Sequence, residues 1–503
     1  MKTPRRLITL VFIGAFFLAS YFFYKKFAIK TITIYHTNDV HGHILPSKGV
    51  GGSAILASFL KMQKKPYLLL DSGDVFQGTP EGDLPNGEAV IKIMNELDYD
   101  AMTVGNHEFD KGQPQLKKLV EMANFSVLGA NVIDKRTRTT VSWLDPYFIK
   151  EVSGLKIGIL GLTTSAAPYI TMPDVLKGLG FQKEIEAAKK FVPELRQKVD
   201  IVIALTHIGV AKNREFDDDV FLAENVEGID VIIGGHTHTF LEKPRKVKNT
   251  VIVQAGCNGK AVGELKLQIR NNKIVGSSYE LITLTKKKFG EDKELKRIID
   301  NFTKSITGRM ALVIGSSAQS LTRSFSDKTA KNGELPLGNL VADVFREAAA
   351  AEIAFHNIGG IRADLPKGNV TIRNIYEMSP FTNKIITMKL SGVQIKEILE
   401  KSVSGKFGKL QVSGLKFQFD INNKAGEQVT EIKVNGKDIK PKKYYQVATN
   451  SFLAKGGDMF STFRKGREIV NTGIIDRDAV VAYFKNHSPV KAQIEGRIIN
   501  ITK

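Results

Sequence analysis

The chain has 503 residues, 42% of them hydrophobic, and a formal net charge of +20. This length exceeds what one hydrophobic core usually covers, so two domains are expected. A single cysteine excludes an internal disulfide. The lysines are scattered and accompany no nucleic-acid fold signature, so no nucleic-acid partner is expected. A positive surface suits anionic lipid instead and draws anionic substrates inward.

The amino terminus is basic and continues into an apolar stretch over residues 7–24. Its length, about 18 residues, is close to what a bilayer-spanning helix needs. Secretory signals usually have a shorter apolar region and an Ala-x-Ala-like cleavage site, and no clean site of that type occurs here. We expect residues 1–29 to form an uncleaved signal anchor, with a removed signal peptide as the alternative.

Five short apolar runs in the first half each end in a polar cluster. Their composition predicts β-strands over Thr31–Tyr35, Tyr67–Leu70, Ala101–Val104, Ile201–Leu205 and Val231–Ile233. The clusters that follow them are HTNDVHGH from residue 36, DSGD from 71, GNHEFD from 105, TH from 206 and GGHTH from 234. Ligands of α/β sheets gather at the carboxyl ends of strands, so the five clusters are expected to meet in one cleft.

These clusters hold enough nitrogen and oxygen ligands for two divalent metal ions. Imidazole favours zinc, iron, copper or nickel, whereas carboxylate and carbonyl oxygens favour manganese or magnesium, so the mixed set is permissive. Two ions roughly 3.5 to 4 Å apart activate a water molecule and neutralise charge on a transferring phosphoryl group. Taken singly, a histidine such as His36 or His356 is more often a buried structural side chain. The crowding of seven of the nine histidines between residues 36 and 238 favours a metal site.

Apolar residues recur at helical spacing between residues 286 and 310, with charged residues on the opposite face. The apolar positions are Leu295, Ile298, Ile299, Phe302 and Ile306. The pattern predicts a linker helix over 286–310, between one domain at 30–285 and another at 311–503. An ordinary surface helix of the first domain is the alternative.

The second half has its own motifs, which are LGNLVAD from residue 337, FHNIGGIR from 355, SPF from 379 and SFLAKGGD from 451. Taken alone, Asn-x-Gly-Gly-x-Arg is a weak signal for an anion-binding loop. In this order and spacing, however, the motifs of both halves resemble the calcineurin-like metallophosphoesterases, and specifically the 5'-nucleotidase family. The resemblance covers nearly everything from residue 31 to the end.

The resemblance implies an α/β protein with an N-terminal four-layer α/β/β/α metallophosphoesterase sandwich and a second, α+β substrate-binding domain. It also implies metal-dependent hydrolysis of nucleoside 5'-phosphates to nucleoside and inorganic phosphate, with water as the nucleophile. The family mostly acts outside the cytoplasm, so we expect the periplasmic or extracellular face of the cell envelope. Residues 7–24 would anchor the enzyme to the membrane.

The resemblance further implies two metal sites that share one carboxylate, Asp74. The first set would be Asp39, His41, Asp74 and His238, and the second Asp74, Asn106, His207 and His236. Some family members carry glutamine at the position of His238, so zinc, manganese, cobalt and magnesium all stay open.

Within GNHEFD, His107 resembles the family's catalytic histidine and Asp110 its partner. A carboxylate that accepts a proton from one ring nitrogen fixes the tautomer, and it leaves the other nitrogen to face the phosphoryl charge. Glu108 is expected in solvent or behind the metal ligands, and His43 behind them or in a loop.

In the second domain, the resemblance implies that Phe381 and Phe452 enclose the nucleobase and that Asp458 accepts hydrogen bonds from the ribose. The loop that reaches the phosphate or its surroundings would contain Asn357, Gly359, Gly360 and Arg362. Aromatic faces grip a base without strict choice, and a guanidinium fork suits phosphate oxygens. Alternatively, both phenylalanines belong to the core. Many relatives carry arginines upstream of LGNL where this chain does not, so Lys331 or Arg323 is the candidate substitute.

Three other functions stay open. A phosphoesterase of the same scaffold could act on 2',3'-cyclic nucleotides, nucleotide sugars or nucleoside di- and triphosphates. A thiohydrolase of the sulfur-oxidation type would not need the aromatic pair. A nucleotide-binding surface protein would show no turnover. The sequence does not indicate an oligomeric state.

Overall fold

The structure is a computed structural model that describes residues 29–210, 217–323, 332–404 and 409–502. The expected anchor at residues 7–24 lies outside these ranges, and so does Lys331. Across the described ranges, every helix is too short or too polar to span a lipid bilayer.

Two six-stranded sheets form the centre of the first domain. Its strands are β1 (Lys30–Thr37), β2 (Leu68–Asp71), β3 (Ala101–Thr103), β4 (Ser126–Leu128), β5 (Val132–Asp134), β6 (Tyr147–Val152), β7 (Leu155–Thr163), β8 (Leu179–Phe181), β9 (Ile201–His207), β10 (Val231–Ile233), β11 (Arg245–Val247), β12 (Thr250–Val253), β13 (Ala261–Arg270) and β14 (Lys273–Thr283). One sheet has the order β14-β13-β1-β2-β3-β4 and the other β11-β12-β10-β9-β7-β6, while β5 pairs with β8.

Helices cover the outer face of both sheets. They are α1 (Ser53–Lys61), α2 (Pro80–Asp83), α3 (Glu88–Glu96), α4 (Gln113–Met122), α5 (Ala167–Ile170), α6 (Glu184–Arg196), α7 (Asp219–Asn225), α8 (Lys286–Phe289) and α9 (Lys293–Met310). Helices α1, α3, α4 and α9 pack on the first sheet, and α6 and α7 pack on the second.

Alternation along the strands produces these layers. In β1, Ile32 and Ile34 face the second sheet, where they meet Ile157 and Ile159 of β7. Tyr35, the residue after Ile34, faces the helices on the other side. The four-layer α/β/β/α sandwich is therefore confirmed.

The second domain is built on a five-stranded sheet of order β19-β16-β23-β18-β24 and a four-stranded sheet of order β22-β21-β20-β25, with a β15-β17 pair. Its strands are β15 (Val313–Ser317), β16 (Ile353–His356), β17 (Gly368–Thr371), β18 (Lys384–Ser391), β19 (Gln411–Ser413), β20 (Leu415–Phe419), β21 (Val429–Val434), β22 (Lys437–Asp438), β23 (Tyr444–Asn450), β24 (Arg467–Ile475) and β25 (Ile498–Asn500). Its helices are α10 (Pro336–Ala348), α11 (Ile372–Met378), α12 (Gly392–Val403), α13 (Ser451–Ala454) and α14 (Asp476–His487).

Two apolar clusters cover the faces of the five-stranded sheet. Helices α10, α11 and α14 pack on one face, and α12 with the four-stranded sheet packs on the other. This mixed, partly antiparallel architecture confirms the α+β expectation.

The segment over 286–310 forms two helices, α8 and α9, and Asp292 caps the second by accepting a hydrogen bond from the Leu295 backbone at 3.0 Å. Leu295 and Ile299 are buried in the core of the first domain. Helix α9 contacts α1, α2 and α3, and it also touches α11 of the second domain. The helical period therefore identifies the buried face of α9, while the exact domain boundaries stay a prediction.

Candidate metal centre and substrate cleft

The five strands predicted to precede polar clusters are all present, as β1, β2, β3, β9 and β10. Strands β1, β2 and β3 run parallel in one sheet, and β9 and β10 run parallel in the other. Several residues of the loops that follow have positive φ, a conformation that non-glycine residues rarely adopt and that clusters at functional sites. They are Asp39 (51°), His41 (50°), Asp74 (56°), His236 (75°) and His238 (54°).

Asp39, His41 and His238 form one group of donor atoms that lie within 4.8 Å of one another. The Nε2 atoms of His41 and His238 face each other at 3.0 Å, and His238 Nε2 lies 3.4 Å from Asp39 Oδ1. The other ring nitrogen of His41 lies 3.0 Å from the Gln77 carbonyl oxygen. That contact places the proton on Nδ1 and leaves Nε2 as a metal ligand.

Asp74, His207 and His236 form a second group with the same spacing. His207 Nε2 lies 3.0 Å from Asp74 Oδ2, and its Nδ1 lies 2.6 Å from the Ser72 carbonyl oxygen. The two groups adjoin, because His207 Nε2 is also 4.0 Å from Asp39 Oδ1.

Two buried atoms at this centre have no hydrogen-bond partner, His207 Nε2 and the side-chain oxygen of Asn106. Since the Ser72 carbonyl accepts the proton of His207 Nδ1, Nε2 has no proton to donate to Asp74 Oδ2, 3.0 Å away. Buried polar atoms nearly always have partners, and unpartnered ones require a reason. Imidazole, carboxylate and amide oxygen together fit divalent cations. The residues present therefore fit the two ions that the sequence predicts.

His107 and Asp110 form a close pair beside the second group. The Nδ1 atom of His107 lies 2.6 Å from Asp110 Oδ2, and its Nε2 atom lies 4.0 Å from Asp74 Oδ2. Burial alone lowers the pKa of His107, but the neighbouring carboxylates of Asp110 and Asp74 raise it above the ordinary histidine value. The pair thus favours an imidazolium whose Nε2–H is available as a donor.

Glu108 is fully buried, so the expectation that it lies in solvent is excluded in favour of a place behind the ligands. Its Oε2 accepts hydrogen bonds from the backbone of Asp74 at 2.8 Å and of Gly105 at 2.6 Å. Its Oε1 accepts one from Val75 at 2.9 Å. One carboxylate therefore joins the loop of Asp74 to the loop of Asn106, a role that sequence reasoning missed.

Asn38 is a second positioning residue that the sequence did not identify. Its amide group donates to Asp39 Oδ2 at 2.7 Å and to the Gly256 carbonyl at 2.6 Å. Its oxygen accepts from the Ala255 backbone at 2.8 Å. An asparagine beside a ligand gives no sequence signal of such contacts, since two of its three partners are backbone groups.

The isolated histidines have the structural surroundings expected of them. His36 is fully buried and stacks on Tyr279 with ring centroids 5.8 Å apart. His356 is buried edge-on against Phe345. His43 is half-buried in the loop after β1, outside both donor groups.

On the second domain, Asn357 and Asp458 form a buried polar pair. The amide of Asn357 donates to Asp458 Oδ2 at 2.8 Å, and Asn450 donates to the Asn357 oxygen at 2.8 Å. Burial raises the pKa of Asp458 to about 7, although the bond from Asn357 opposes the shift. Asp458 also lines the cavity between the two domains, where a bound molecule can reach it.

Phe381 and Phe452 are both half-buried rather than enclosed in the core. The Phe381 ring lies 5.6 Å from the His107 ring, and the Arg362 guanidinium lies 5.9 Å above it. Arg362 Nη2 also comes within 3.4 Å of His41 Nε2. The end of the Phe452 ring lies against Gly457, where a β-carbon would come 2.4 Å from Cζ of the ring. Gly457 thus leaves the space that the ring occupies.

A cavity of about 910 Å³ between the two domains brings these groups together. Its first-domain wall includes Asp74, Asn106, His107, Asp110, His236 and His238, and its second-domain wall includes Arg323, Asn357, Gly359, Gly360, Arg362, Phe381, Phe452 and Asp458. Of the predicted site residues, only the buried ligands Asp39, His41 and His207 lie behind the cavity surface.

Comparison with known proteins adds independent findings. The family model "Calcineurin-like phosphoesterase" matches residues 32–240, and "5'-nucleotidase, C-terminal domain" matches residues 313–465. The chain is 31% identical to a 5'-nucleotidase of Vibrio cholerae, over 91% of each chain. It is 32% identical to the trifunctional nucleotide phosphoesterase protein YfkN of Bacillus subtilis, over 94% of this chain but only 35% of that longer protein.

Two solved structures have the same overall architecture. A 5'-nucleotidase precursor from Thermus thermophilus superposes with a TM-score of 0.85 at 32% identity, covering 94% of this chain and 99% of that one. The sulfate thiohydrolase SoxB, also from Thermus thermophilus, superposes with a TM-score of 0.79, covering 93% of this chain and 96% of that one. At 19% identity, the second likeness concerns the fold alone.

Proposed function

Because the chain belongs to the 5'-nucleotidase family, a family of metal-dependent hydrolases, we propose that its cavity hydrolyses nucleoside 5'-monophosphates to nucleoside and inorganic phosphate. The observation that carries this proposal is that members of both metal-donor groups line one cavity with two half-buried phenylalanines and a buried Asn357–Asp458 pair. A metal-dependent phosphatase that does not recognise nucleosides would need only the first-domain wall of the cavity. The second wall suits a base and a ribose.

The donor groups divide the metal ligands between two ions. Asp39, His41 and His238 would hold one ion, and Asn106, His207 and His236 the other, with Asp74 shared. When bound, two such ions supply an activated water molecule and neutralise charge on the phosphoryl group. Their identity among zinc, manganese, cobalt and magnesium stays open, since the donor set suits several.

His107 would stabilise the charge that develops on the phosphoryl or leaving oxygen. Its Nε2 faces the cavity near Asp74, while Asp110 holds Nδ1 at 2.6 Å. The Asp110 contact fixes the tautomer and favours the imidazolium, so Nε2 has a proton to donate. Asp110 therefore acts through His107 rather than on the substrate.

The second domain would hold the nucleotide by its three parts. Phe381 and Phe452 would enclose the base, and Asp458 would accept the ribose hydroxyls. Arg362 lies between His41 and Phe381, so its fork is placed for phosphate oxygens near the metal donors. Asn357, Gly359 and Gly360 form the adjoining loop.

Arg323 is our candidate for a second phosphate-binding arginine. It lines the cavity, and its Nη1 donates to the Arg362 carbonyl oxygen at 2.5 Å. Its backbone is held in turn by Asp364 at 2.8 Å. These contacts place a second guanidinium beside Arg362.

We also propose that the enzyme works in the cell envelope, anchored by residues 7–24. The basic start and apolar run of the amino terminus support this placement. Fractionation of cells that express the full chain would test it. The enzyme should pellet with membranes and require detergent for release, whereas activity in the soluble envelope fraction would favour a cleaved signal.

A substrate panel tests the activity. The purified full chain, stripped of metal and reloaded separately with manganese, zinc, cobalt or magnesium, should release phosphate from nucleoside 5'-monophosphates. p-Nitrophenyl phosphate serves as a control substrate that lacks a nucleoside. Preference for 2',3'-cyclic nucleotides, nucleotide sugars or di- and triphosphates would select another phosphoesterase. Nucleotide binding without turnover under every metal would contradict the proposal.

A further inference from the structure

Helix α11 adjoins two second-domain residues that contact the first-domain site, Arg362 against His41 and Phe381 against His107. It begins at a capping box in which Thr371 and Asn374 bond each other reciprocally. At its other end, the Met378 carbonyl accepts a hydrogen bond from the Arg362 backbone at 2.7 Å. Phe381 follows Met378 by three residues. The placement of α11 therefore sets where Arg362 and Phe381 lie in the cavity.

A bidentate ion pair joins α11 to the first domain. Arg373, in its first turn, donates from Nη1 to Glu81 Oε2 at 2.9 Å and from Nη2 to Glu81 Oε1 at 2.5 Å. Glu81 is only 2% exposed, and Arg373 is 28% exposed. Glu377 stands 3.5 Å from the same guanidinium on the helix itself. Bidentate, partly desolvated pairs of this type are strong and specific in direction.

Glu81 lies on α2, which packs closely against the loop that contains the proposed metal ligand His41. The Thr79 hydroxyl donates to the Gly42 carbonyl at 2.6 Å, and a β-carbon on Gly82 would come within 2.8 Å of the Gly42 α-carbon. The backbone of His41, next to Gly42, donates to the Asp74 carbonyl at 2.9 Å. Movement of α2 would therefore disturb the loops of two proposed ligands.

The segment between Asp74 and α2 makes a second contact across the domains. Gln77, whose carbonyl oxygen fixes the His41 ring, donates from its side chain to the Pro380 carbonyl at 3.2 Å. By contrast, the interdomain pair of Lys455 with Asp174 is largely exposed, and exposed pairs contribute little.

We propose that Glu81 and Arg373 are positioning residues that set the register of helix α11, and with it of Arg362 and Phe381, against the metal centre. The inference rests on the proposed function, because it matters only if the second domain holds the nucleoside. The pair itself touches no substrate. It acts by keeping Phe381 and Arg362 at the distance from the metal donors at which the phosphate and the base can be held together.

The test compares two substrates in two variants that each remove one charge of the pair, the isosteric Glu81→Gln and the shorter Arg373→Gln. The ratio of kcat/KM for a nucleoside 5'-monophosphate to that for p-nitrophenyl phosphate should fall by ~10- to 100-fold, the cost of small misplacements of a reacting group. The aryl phosphate can reseat on the metal centre, because it has no nucleoside to align. The double variant should lose no more than either single variant, since both remove one interaction.

Glu88→Gln is the matched control, because Glu88 pairs with Lys118 at 2.6 Å on one surface of the first domain. It should leave both activities unchanged, and thermal unfolding should confirm that all variants are folded. An unchanged ratio would overturn the inference. If both activities fell equally, the pair would serve the metal centre alone, and if neither fell, the pair would have no positioning role. Absence of nucleotide hydrolysis in the parent protein would instead refute the proposed function.

Discussion

The two walls of the cavity differ in how firmly their functional groups are held. On the metal side, Asp39, Asp74 and His207 are buried, and Glu108 and Asn38 fix their loops through backbone hydrogen bonds. On the nucleotide side, Phe381 and Phe452 are half-buried. Phe381 follows α11, and Phe452 lies within the short helix α13. The difference predicts that the reaction depends on a firmly held centre that every substrate shares, and that selection among substrates depends on the less buried wall.

The largest loss of activity is expected when the proposed shared carboxylate is removed. Asp74→Asn keeps the size of the side chain but removes the charge between the donor groups, so hydrolysis of nucleotides and of p-nitrophenyl phosphate should fall together by several orders of magnitude. Metal analysis of the purified variant should show reduced loading. Asp98→Asn, at a carboxylate paired with Lys65 on the surface, is the control. Substantial activity in Asp74→Asn would disprove a shared metal centre.

A smaller loss of activity is expected when Glu108, which lies behind the proposed metal ligands, is changed. Glu108→Gln would place an amide donor against one of the backbone N–H groups that the carboxylate now satisfies, so the loops of Asp74 and Asn106 should loosen. Loss of such supporting contacts typically costs about 10- to 100-fold in metal affinity or activity.

The loss in Glu108→Gln should affect both substrates equally and should be partly recovered at higher metal concentration. Titration of activity with metal checks this expectation. Glu121→Gln, at an exposed position of the same domain, provides the comparison. A loss confined to nucleotide hydrolysis would contradict this expectation, because it would mean that Glu108 supports nucleotide binding rather than the metal loops.

The clustering of metal donors at strand ends could be predicted from residue types alone, whereas their division between two ions came from the resemblance to a known family. Histidine and aspartate after buried strands leave a pattern, because metal ligands require particular side chains and parallel strands end at one edge. Glu108 and Asn38 left no such pattern, since most of their partners are backbone groups whose positions depend on the folded loops.

The nucleotide half depended on resemblance to a known family. Phenylalanines are common in cores, and nothing in the sequence shows that Gly457 makes room for the ring of Phe452. The same limit applies to α9. Its period predicts which face is buried, but only the fold shows that Leu295 and Ile299 pack into the first domain. The Glu81–Arg373 pair was likewise invisible, because its partners are 292 residues apart.

Phe452→Ala tests the nucleotide side of the cavity, because it removes one of the two aromatic rings proposed to enclose the base. Stacking of a base on an aromatic side chain is worth about 1–3 kcal/mol, so kcat/KM for nucleotides should fall by about tenfold. Activity on p-nitrophenyl phosphate should change little, because that substrate has no ribose to carry its ring to the position of the base. Measurement of both substrates on one preparation makes the aryl phosphate an internal control. Equal kinetics for the variant and the parent on nucleotides would mean that the ring serves the core.

The smallest expected effect is a pH dependence confined to the nucleotide half. Burial raises the pKa of Asp458 to about 7, so this carboxyl group is largely neutral below that pH and ionised above it. The ionised form is the better acceptor for ribose hydroxyls. Hydrogen bonds to charged groups exceed neutral ones by ~1 kcal/mol, which corresponds to roughly fivefold in affinity. Nucleotide capture should therefore strengthen as pH rises through 7.

The ratio of kcat/KM for a nucleotide to kcat/KM for p-nitrophenyl phosphate isolates this effect, because titration of the metal centre and of His107 enters both terms. In the parent protein the ratio should rise with pH around 7, since kcat/KM reports groups of the free enzyme. In Asp458→Asn it should be lower at high pH and flat, because the amide does not titrate. A ratio that falls with rising pH, or one that keeps its slope in the variant, would mean that another group governs nucleotide capture.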